Sequence, residues 1–287
     1  MKINPHPLMK NNIIKDDLSK VIAFLKKDPI LTQSKKCEEF EKLWSKWLGV
    51  KYSVFVNSGS SANYLTLFYL SRILKKKSEI IVPALTWNSD IVSVIKNNFE
   101  PIFVDINLKN LAMNEDQVIK KINKKTAAVF ITHAQGFNGL SQKLINYIKR
   151  KNIYLIEDVC ESHGATFKNK KLGTFGNLSN FSFYYAHHLS TIEGGMVCMN
   201  DKKAYNFIKM ARSHGLLRSS NDKNYINKIS KKFTNLNSEF IFQDLGFNMR
   251  NNEISAVIGI NQIPRLNKNI KKRKCYLSKS KNYSIKW

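Results

Sequence analysis

Acidic residues are scarce in this sequence, cysteines are few, and long apolar runs are missing. Each shortage excludes something. Without an unbroken apolar run of about 20 residues, no membrane-spanning helix is expected. The opening "MKINPHPLMKNN" has no apolar core of the kind a secretory signal needs, so a cytoplasmic, soluble protein is expected. The four cysteines, Cys37, Cys160, Cys198 and Cys275, are far apart and form no C-x-x-C pair. A zinc site, any other metal site or a disulfide framework is therefore not expected, and the thiols are read as reduced. Asp and Glu number 21 against 47 Lys and Arg, a formal net charge of +26. Such an excess suits a polyanionic partner. However, it travels with an abundance of Asn and Ile, which have no role in binding polyanions. The lysines are spread along the chain, and no nucleic-acid motif accompanies them. No nucleic acid is expected; what survives is attraction of a small anionic substrate.

The 287 residues are enough for one large domain, with or without an appendage. Apolar residues recur with helical spacing at 14–27 and 36–48. "YSVFV" (52–56) reads as a buried strand, and "NSGSSANYLTLFYLSRIL" is a Gly/Ser turn running into an apolar helix. "EIIVP" (79–83), "EPIFVDI" (100–106), "TAAVFIT" (126–132) and "NIYLIED" (152–158) are short β-rich runs. Helical patterns at 87–97, 114–123 and 140–150 separate them. This alternation predicts a mainly parallel sheet with helices on both faces. A strand is expected to begin at Phe181, where Phe181, Phe183 and Tyr185 alternate with Ser182 and Tyr184. A helix follows at about 201–213, then a polar stretch to about 238. "EISAVIGINQIPRL" (253–266) is the last clear helix, and the basic tail after it has little with which to build a core.

Three stretches carry chemistry. In "NSGSSAN" (57–63), Gly59 allows a tight turn, and the N–H groups of Ser60 and Ser61 would be free donors at a helix N-terminus, a site for phosphate. An ordinary helix cap is the alternative. "IEDVCESHGA" (156–165) puts Glu157 and Asp158 at the end of an apolar strand, where ligands of open α/β sheets bind. A carboxylate there can hold a protonated ring nitrogen, or it can cap a helix. In "PALTWNSD", Trp87 follows another strand end, as a core residue or as a stacking plate for a flat ring. Taken together, in this order, these features describe a pyridoxal phosphate (PLP) site.

The stretches "VNSGSSANYL", "IIVPALTWNSDIVSVI", "PIFVDI", "LIEDVCESHGATFKNKKLGTFGNLSNFSFYYAHHLSTIEGGMVCMND" and "DLGFNMRNNEISAVIGINQI" resemble the DegT/DnrJ/EryC1/StrS family of sugar aminotransferases. The resemblance runs from about residue 36 to 266 and implies the α/β fold type I architecture of PLP-dependent transferases. Residues 1–35 would be an N-terminal helical segment and 36–266 the PLP-binding large domain. Residues 267–287 would begin a linker to a small C-terminal domain that is absent here. In the aminotransferases of this family, F-S-F-x-x-x-K provides the lysine that holds the cofactor covalently. Counted from Phe181, that position is His187.

With no amine at 187, the resemblance implies PLP, or its amino form PMP, held non-covalently, with His187 as acid–base. The pattern "HHLSTIEGG" resembles the branch of 3-dehydratases acting on nucleotide-linked 4-keto-6-deoxysugars, enzymes of deoxysugar and lipopolysaccharide O-antigen synthesis. A branch with an iron–sulfur cluster needs clustered cysteines, and the stretch after "RSHGL" (212–216) has none, so the cluster-free branch is expected. The resemblance further implies that Asp158 pairs with the pyridinium nitrogen and Glu161 lies near the ring hydroxyl. Trp87 would stack on the ring, and Gly59, Ser60 and Ser182 would bind the phosphate. Asn248, in "GFNMR", would reach the phosphate of the partner subunit in a homodimer. His188 is read as structural, and Glu193 and His214 receive no role. Glutamate would be the amino donor and a nucleotide sugar the substrate. An ordinary aminotransferase using another lysine (Lys168, Lys170 or Lys171) and a catalytically inactive PLP-fold protein serving as a binding partner are the competing readings.

Overall fold

The computed structural model describes residues 11–280, with side chains as far as Cys275. Helices α1 (Lys15–Leu25) and α2 (Lys35–Leu48) lead into strand β1 (Tyr52–Val56) and helix α3 (Gly59–Ile73). Then come β2 (Glu79–Pro83), α4 (Asn88–Lys96), β3 (Glu100–Val104) and a small hairpin of β4 (Ile106–Asn107) and β5 (Ala112–Met113). The chain continues with α5 (Glu115–Lys121), β6 (Thr126–Thr132), α6 (Gln142–Arg150) and β7 (Tyr154–Asp158). A second hairpin, β8 (Thr166–Phe167) with β9 (Lys170–Lys171), precedes β10 (Leu178–Ser182) and β11 (Gly195–Met199). Helices α7 (Lys202–Arg212), α8 (Lys223–Ser230) and α9 (Glu253–Ser280) complete the described chain.

The seven-stranded sheet has the order β1-β11-β10-β7-β6-β2-β3. Strand β11 is antiparallel to both its neighbours, and the pairs β10·β7, β7·β6, β6·β2 and β2·β3 are parallel. The mainly parallel sheet expected from the alternation is present. Side chains leave it in two directions, as the pleat requires. Phe55, Val129, Ile131, Phe181 and Phe183 pack with Phe40 and Trp44 of α2 on one face. Val54, Val56, Phe130 and Ile156 pack with Leu65, Leu67 and Phe68 of α3 and Ile208 of α7 on the other. Because β1 and β10 both run opposite to β11, the carboxyl ends of β1, β10, β7, β6 and β2 all open on one edge.

Two elements differ from the sequence expectation. The strand near residue 181 is Leu178–Ser182, buried at all five positions. It is covered on both faces, so it has no polar side for alternation to mark. The alternation from Phe181 to Tyr185 instead straddles the strand end. Phe183 donates its N–H to Gly194 O and accepts from Thr191 N–H, so residues 184–193 form a loop closed at Phe183. The last helix also does not stop at 266: α9 continues through Ser280, with Pro264 inside it. Among the described residues no helix is long and apolar enough to cross a membrane, and no cluster of ligands suits a metal. Cys37, Cys160 and Cys198 are free thiols.

Candidate active site

The ends of β1, β10 and β7 meet the start of α3 on the open edge of the sheet. A Cβ built on Gly59 would lie 2.7 Å from Ser182 Cβ and 3.2 Å from Cys160 Sγ, so only glycine lets α3 approach β10 and β7 this closely. On the other side, a Cβ on Gly195 would lie 2.2 Å from Ser58 O. Gly59 and Ser60 begin the helix, where backbone N–H groups have no intrahelical acceptor. The sequence also offered Ser61 as a free donor. That is corrected by the geometry: Ser61 N–H is bonded to the N-cap Ser58 Oγ at 3.0 Å. The cap is thus present, while the Gly59 and Ser60 N–H groups lack an intrahelical acceptor. Ser182, the last residue of β10, is buried, and its Oγ accepts from Tyr184 N–H at 3.3 Å.

Asp158 ends β7 and is 4% exposed. Its Oδ1 accepts the Cys160 N–H at 2.8 Å, and its Oδ2 has Asn63 Nδ2 at 3.4 Å. Among the described residues no Lys, Arg or His forms an ion pair with it. Its neighbour Glu157 serves a different purpose. Turned to the opposite face, it accepts the N–H groups of Gly173, Phe175 and Gly176 and meets His133 Nε2 at 3.1 Å, which pins the approach to β10. Glu161 is half-buried, and Oε2 accepts Gln135 N–H at 2.8 Å. Trp87 is the N-cap of α4 just past β2, and at 69% exposure it is not a core residue.

His187 stands in the 184–193 loop. Its ring lies 6.4 Å from that of Tyr184 and 5.9 Å from that of His163. Burial drives its pKa down to about 4, against the opposing pull of the Asp158 charge. The ring is thus neutral near pH 7 and can accept a proton. His188 stacks on His163 at 5.3 Å and is pushed to about 3, by burial first and then by Arg273 and His187. In the same loop Ile192 has φ +71°, a region that costs a β-branched residue roughly 1–3 kcal/mol.

Asn248 is not brought to the other site residues within the chain. It is exposed, bridged to Ser213, and its Oδ1 accepts from Arg250 Nε at 3.1 Å. Glu193 ends the 184–193 loop, its carbonyl accepting from Thr191 Oγ1 and Asn251 Nδ2, and His214 donates its N–H to Phe247 O; neither gains a role. The lysines offered as substitutes are engaged elsewhere: Lys171 Nζ donates to Trp47 O at 2.6 Å and Lys168 Nζ to Gln142 Oε1 at 2.8 Å. Lys170 belongs to the same β8·β9 hairpin.

Sequence reasoning missed a group beneath the pocket. Asp90, from the first turn of α4, is 1% exposed and lies with Asn63, Thr86 and Thr132 next to Asp158. An acid in the first turn of a helix reads as a partner of the helix dipole, which is a surface role, so nothing in the sequence marked it as buried. His163, inside the quoted "ESHGA", was missed for a related reason: its neighbours in space come from Trp44 and residues 181–188.

A family model for the DegT/DnrJ/EryC1/StrS aminotransferase family matches residues 11–281. GDP-4-keto-6-deoxy-D-mannose 3-dehydratase of Escherichia coli O55:H7 is 34% identical over 256 residues, covering 88% of this chain and 66% of that protein. A UDP-4-amino-4,6-dideoxy-N-acetyl-beta-L-altrosamine transaminase of Campylobacter jejuni is 32% identical over 268 residues, covering 91% of this chain and 65% of its own. The chain thus spans just under two thirds of these curated relatives. Among solved structures, the E. coli 3-dehydratase with bound hydrated PLP superposes with a TM-score of 0.84 at 32% identity, covering 91% of this chain and 68% of that one.

Proposed function

Because this chain belongs to the DegT/DnrJ/EryC1/StrS aminotransferase family, we propose that it binds PLP or PMP non-covalently and removes the C3 oxygen of a nucleotide-linked 4-keto-6-deoxysugar. The observation that carries this reading is His187: a neutral imidazole, within the field of Asp158, at the position where the family's aminotransferases carry lysine. The residues present are compatible with the cofactor: a buried carboxylate without a cation among the described residues, an exposed indole just past the end of β2, and a helix N-terminus packed too tightly for any side chain at residue 59.

In this reading Asp158 faces the positive ring nitrogen, Trp87 covers a ring face and Glu161 stands near the ring hydroxyl. Gly59, Ser60 and Ser182 hold the phosphate, with Asn248 supplied across a homodimer. The bound cofactor supplies an electron sink for a carbanion. His187 takes up a proton on its imidazole and returns it, work a neutral imidazole performs near pH 7. It cannot act as the amine nucleophile that would hold the cofactor or displace an amino-sugar, so loss of the C3 hydroxyl is the open exit. Glutamate is the amino donor, and ammonia is released with the 3-deoxy-4-keto product. GDP-4-keto-6-deoxy-D-mannose, the sugar in the E. coli relative's name, is the first substrate to try. The transaminase relative keeps the aminotransferase reading as the competitor.

Borohydride reduction of the PLP-loaded protein, followed by peptide mass spectrometry, tests the reading. No pyridoxyl adduct is expected on any lysine, and His187→Lys should create one. A stoichiometric adduct on a wild-type lysine, or an amino-sugar product in turnover, would sink the dehydratase assignment.

A further inference from the structure

We propose that Asp90 is a neutral carboxylic acid in the folded protein, a positioning residue that steadies Asn63 and leaves the pocket's negative charge on Asp158 alone. A hydrogen count leads there. Asp90 Oδ2, Thr86 Oγ1 and Thr132 Oγ1 form a closed triangle, with separations of 2.5 Å, 2.9 Å and 2.7 Å. Each side is a hydrogen bond and needs one proton. The two threonine hydroxyls bring one proton each and fill two sides. The third side is filled when Asp90 brings its own. An ionised Asp90 leaves two oxygens facing each other with nothing between them.

At the other oxygen, Asp90 Oδ1 accepts from Asn63 Nδ2 at 2.6 Å, so the proton that the triangle needs stands on Oδ2. The surroundings favour the neutral form. The titratable groups that face Asp90 are Asp158 of β7, whose charge opposes one on Asp90, and the Cys160 thiol after it, which burial holds in its neutral form. The other elements packed on it contribute only Asn63, Ser89, Thr86 and Thr132 at hydrogen-bonding distance or one bond removed. Among the described residues no Lys, Arg or His forms an ion pair with it. Burial, then the Asp158 charge, accordingly raise its pKa well above the ordinary 3.8.

The same Asn63 amide spans both carboxylates, at 2.6 Å and 3.4 Å. A neutral Asp90 thus orients the donor of Asp158 without adding a second anion beside it. This last step rests on the cofactor reading; the proton on Asp90 does not.

The test uses the full chain and its Asp90→Asn, Asp90→Ala and Asp158→Asn variants. In infrared spectra at neutral pH, wild type should show the carbonyl stretch of a protonated acid that Asp90→Asn lacks. No such difference would overturn the proposal. A group raised on folding stabilises fully below its unfolded pKa, and that contribution is lost as pH rises through the folded value. Asp90→Asn should therefore melt a few degrees above wild type at pH 7.5, with the gap closing towards pH 4. An Asn variant that melts lower at pH 7.5 and recovers in acid would overturn it. For PLP itself, Asp90→Ala should weaken binding roughly tenfold and Asp90→Asn should restore it. Failure of the Asn rescue would refute the positioning role. If Asp158→Asn leaves PLP affinity unchanged, the cofactor reading falls while the infrared and melting results still judge Asp90.

Discussion

His163 is packed between the rings of Trp44, Phe181, Phe183, His187 and His188. Neither ring nitrogen has a hydrogen-bond partner; the Ser182 backbone is near but not in bonding geometry. A buried polar group left unpaired costs about 1–3 kcal/mol. His163→Met keeps the volume roughly and removes the polar atoms, so we expect stability to rise by about 1–2 kcal/mol in chemical denaturation. A loss of stability would mean the imidazole has a partner when folded. The three histidines also set an acid limit. Each has its folded pKa below the usual 6.5, to about 4 for His187 and about 3 for His188. Their contribution is present above pH 6.5 and is lost as pH falls through that value towards 4 and below. The melting temperature should drop across that window, and His188→Gln should flatten the drop. A wild-type melting temperature constant from pH 7 to pH 4 would contradict this. The Gly59 turn and the strand-end Asp158 could be read from the residues themselves, whereas Ser182 and His187 were singled out only through the family resemblance. Asp90 and His163 were legible in neither way, because their meaning comes from partners distant in the chain.

At the scale of elements, strands β1, β2 and β6 coincide with the apolar runs that announced them, since each is bounded by turn residues and buried throughout or nearly so. Strand β10 was misplaced because burial on both faces erases the period-2 signal. The length of α9 was misread because its second half is basic, and Lys and Arg are good helix formers whatever they fail to bury. One long-range tie also left no trace in the sequence. Glu253, at the start of α9, accepts the N–H groups of Ser34, Lys36 and Cys37, and so satisfies the N-terminus of α2 from 217 residues away. The carboxylate also suits the positive end of that helix. Glu253→Ala leaves three donors at a part-buried helix start and should cost about 1–3 kcal/mol. Urea denaturation measures it; a loss under about 0.5 kcal/mol, the range of an ordinary surface change, would show that water or a neighbour replaces the carboxylate.

For the whole molecule, the formal net charge of +26 shapes how anions arrive more than where they sit. In the proposed site the fixed elements are the N–H groups of the α3 turn, Ser182 and Asp158. None of these is a lysine or arginine. The lysines are spread over the surface, where their field acts at a distance and is screened by salt. The Debye length falls from about 30 Å at 0.01 M salt to about 10 Å at 0.1 M. An anion such as PLP approaching from bulk solvent should feel the field at the lower salt and largely lose it at the higher. Contacts made inside the pocket are short and less screened. The association rate of PLP, followed by stopped-flow absorbance, should therefore fall by roughly tenfold across that range, while the dissociation rate changes far less. Pyridoxal, which lacks the phosphate, should show little dependence in either rate. If salt instead acts mainly on dissociation, the cations hold the phosphate directly. A lysine or arginine would then have to be added to the pocket.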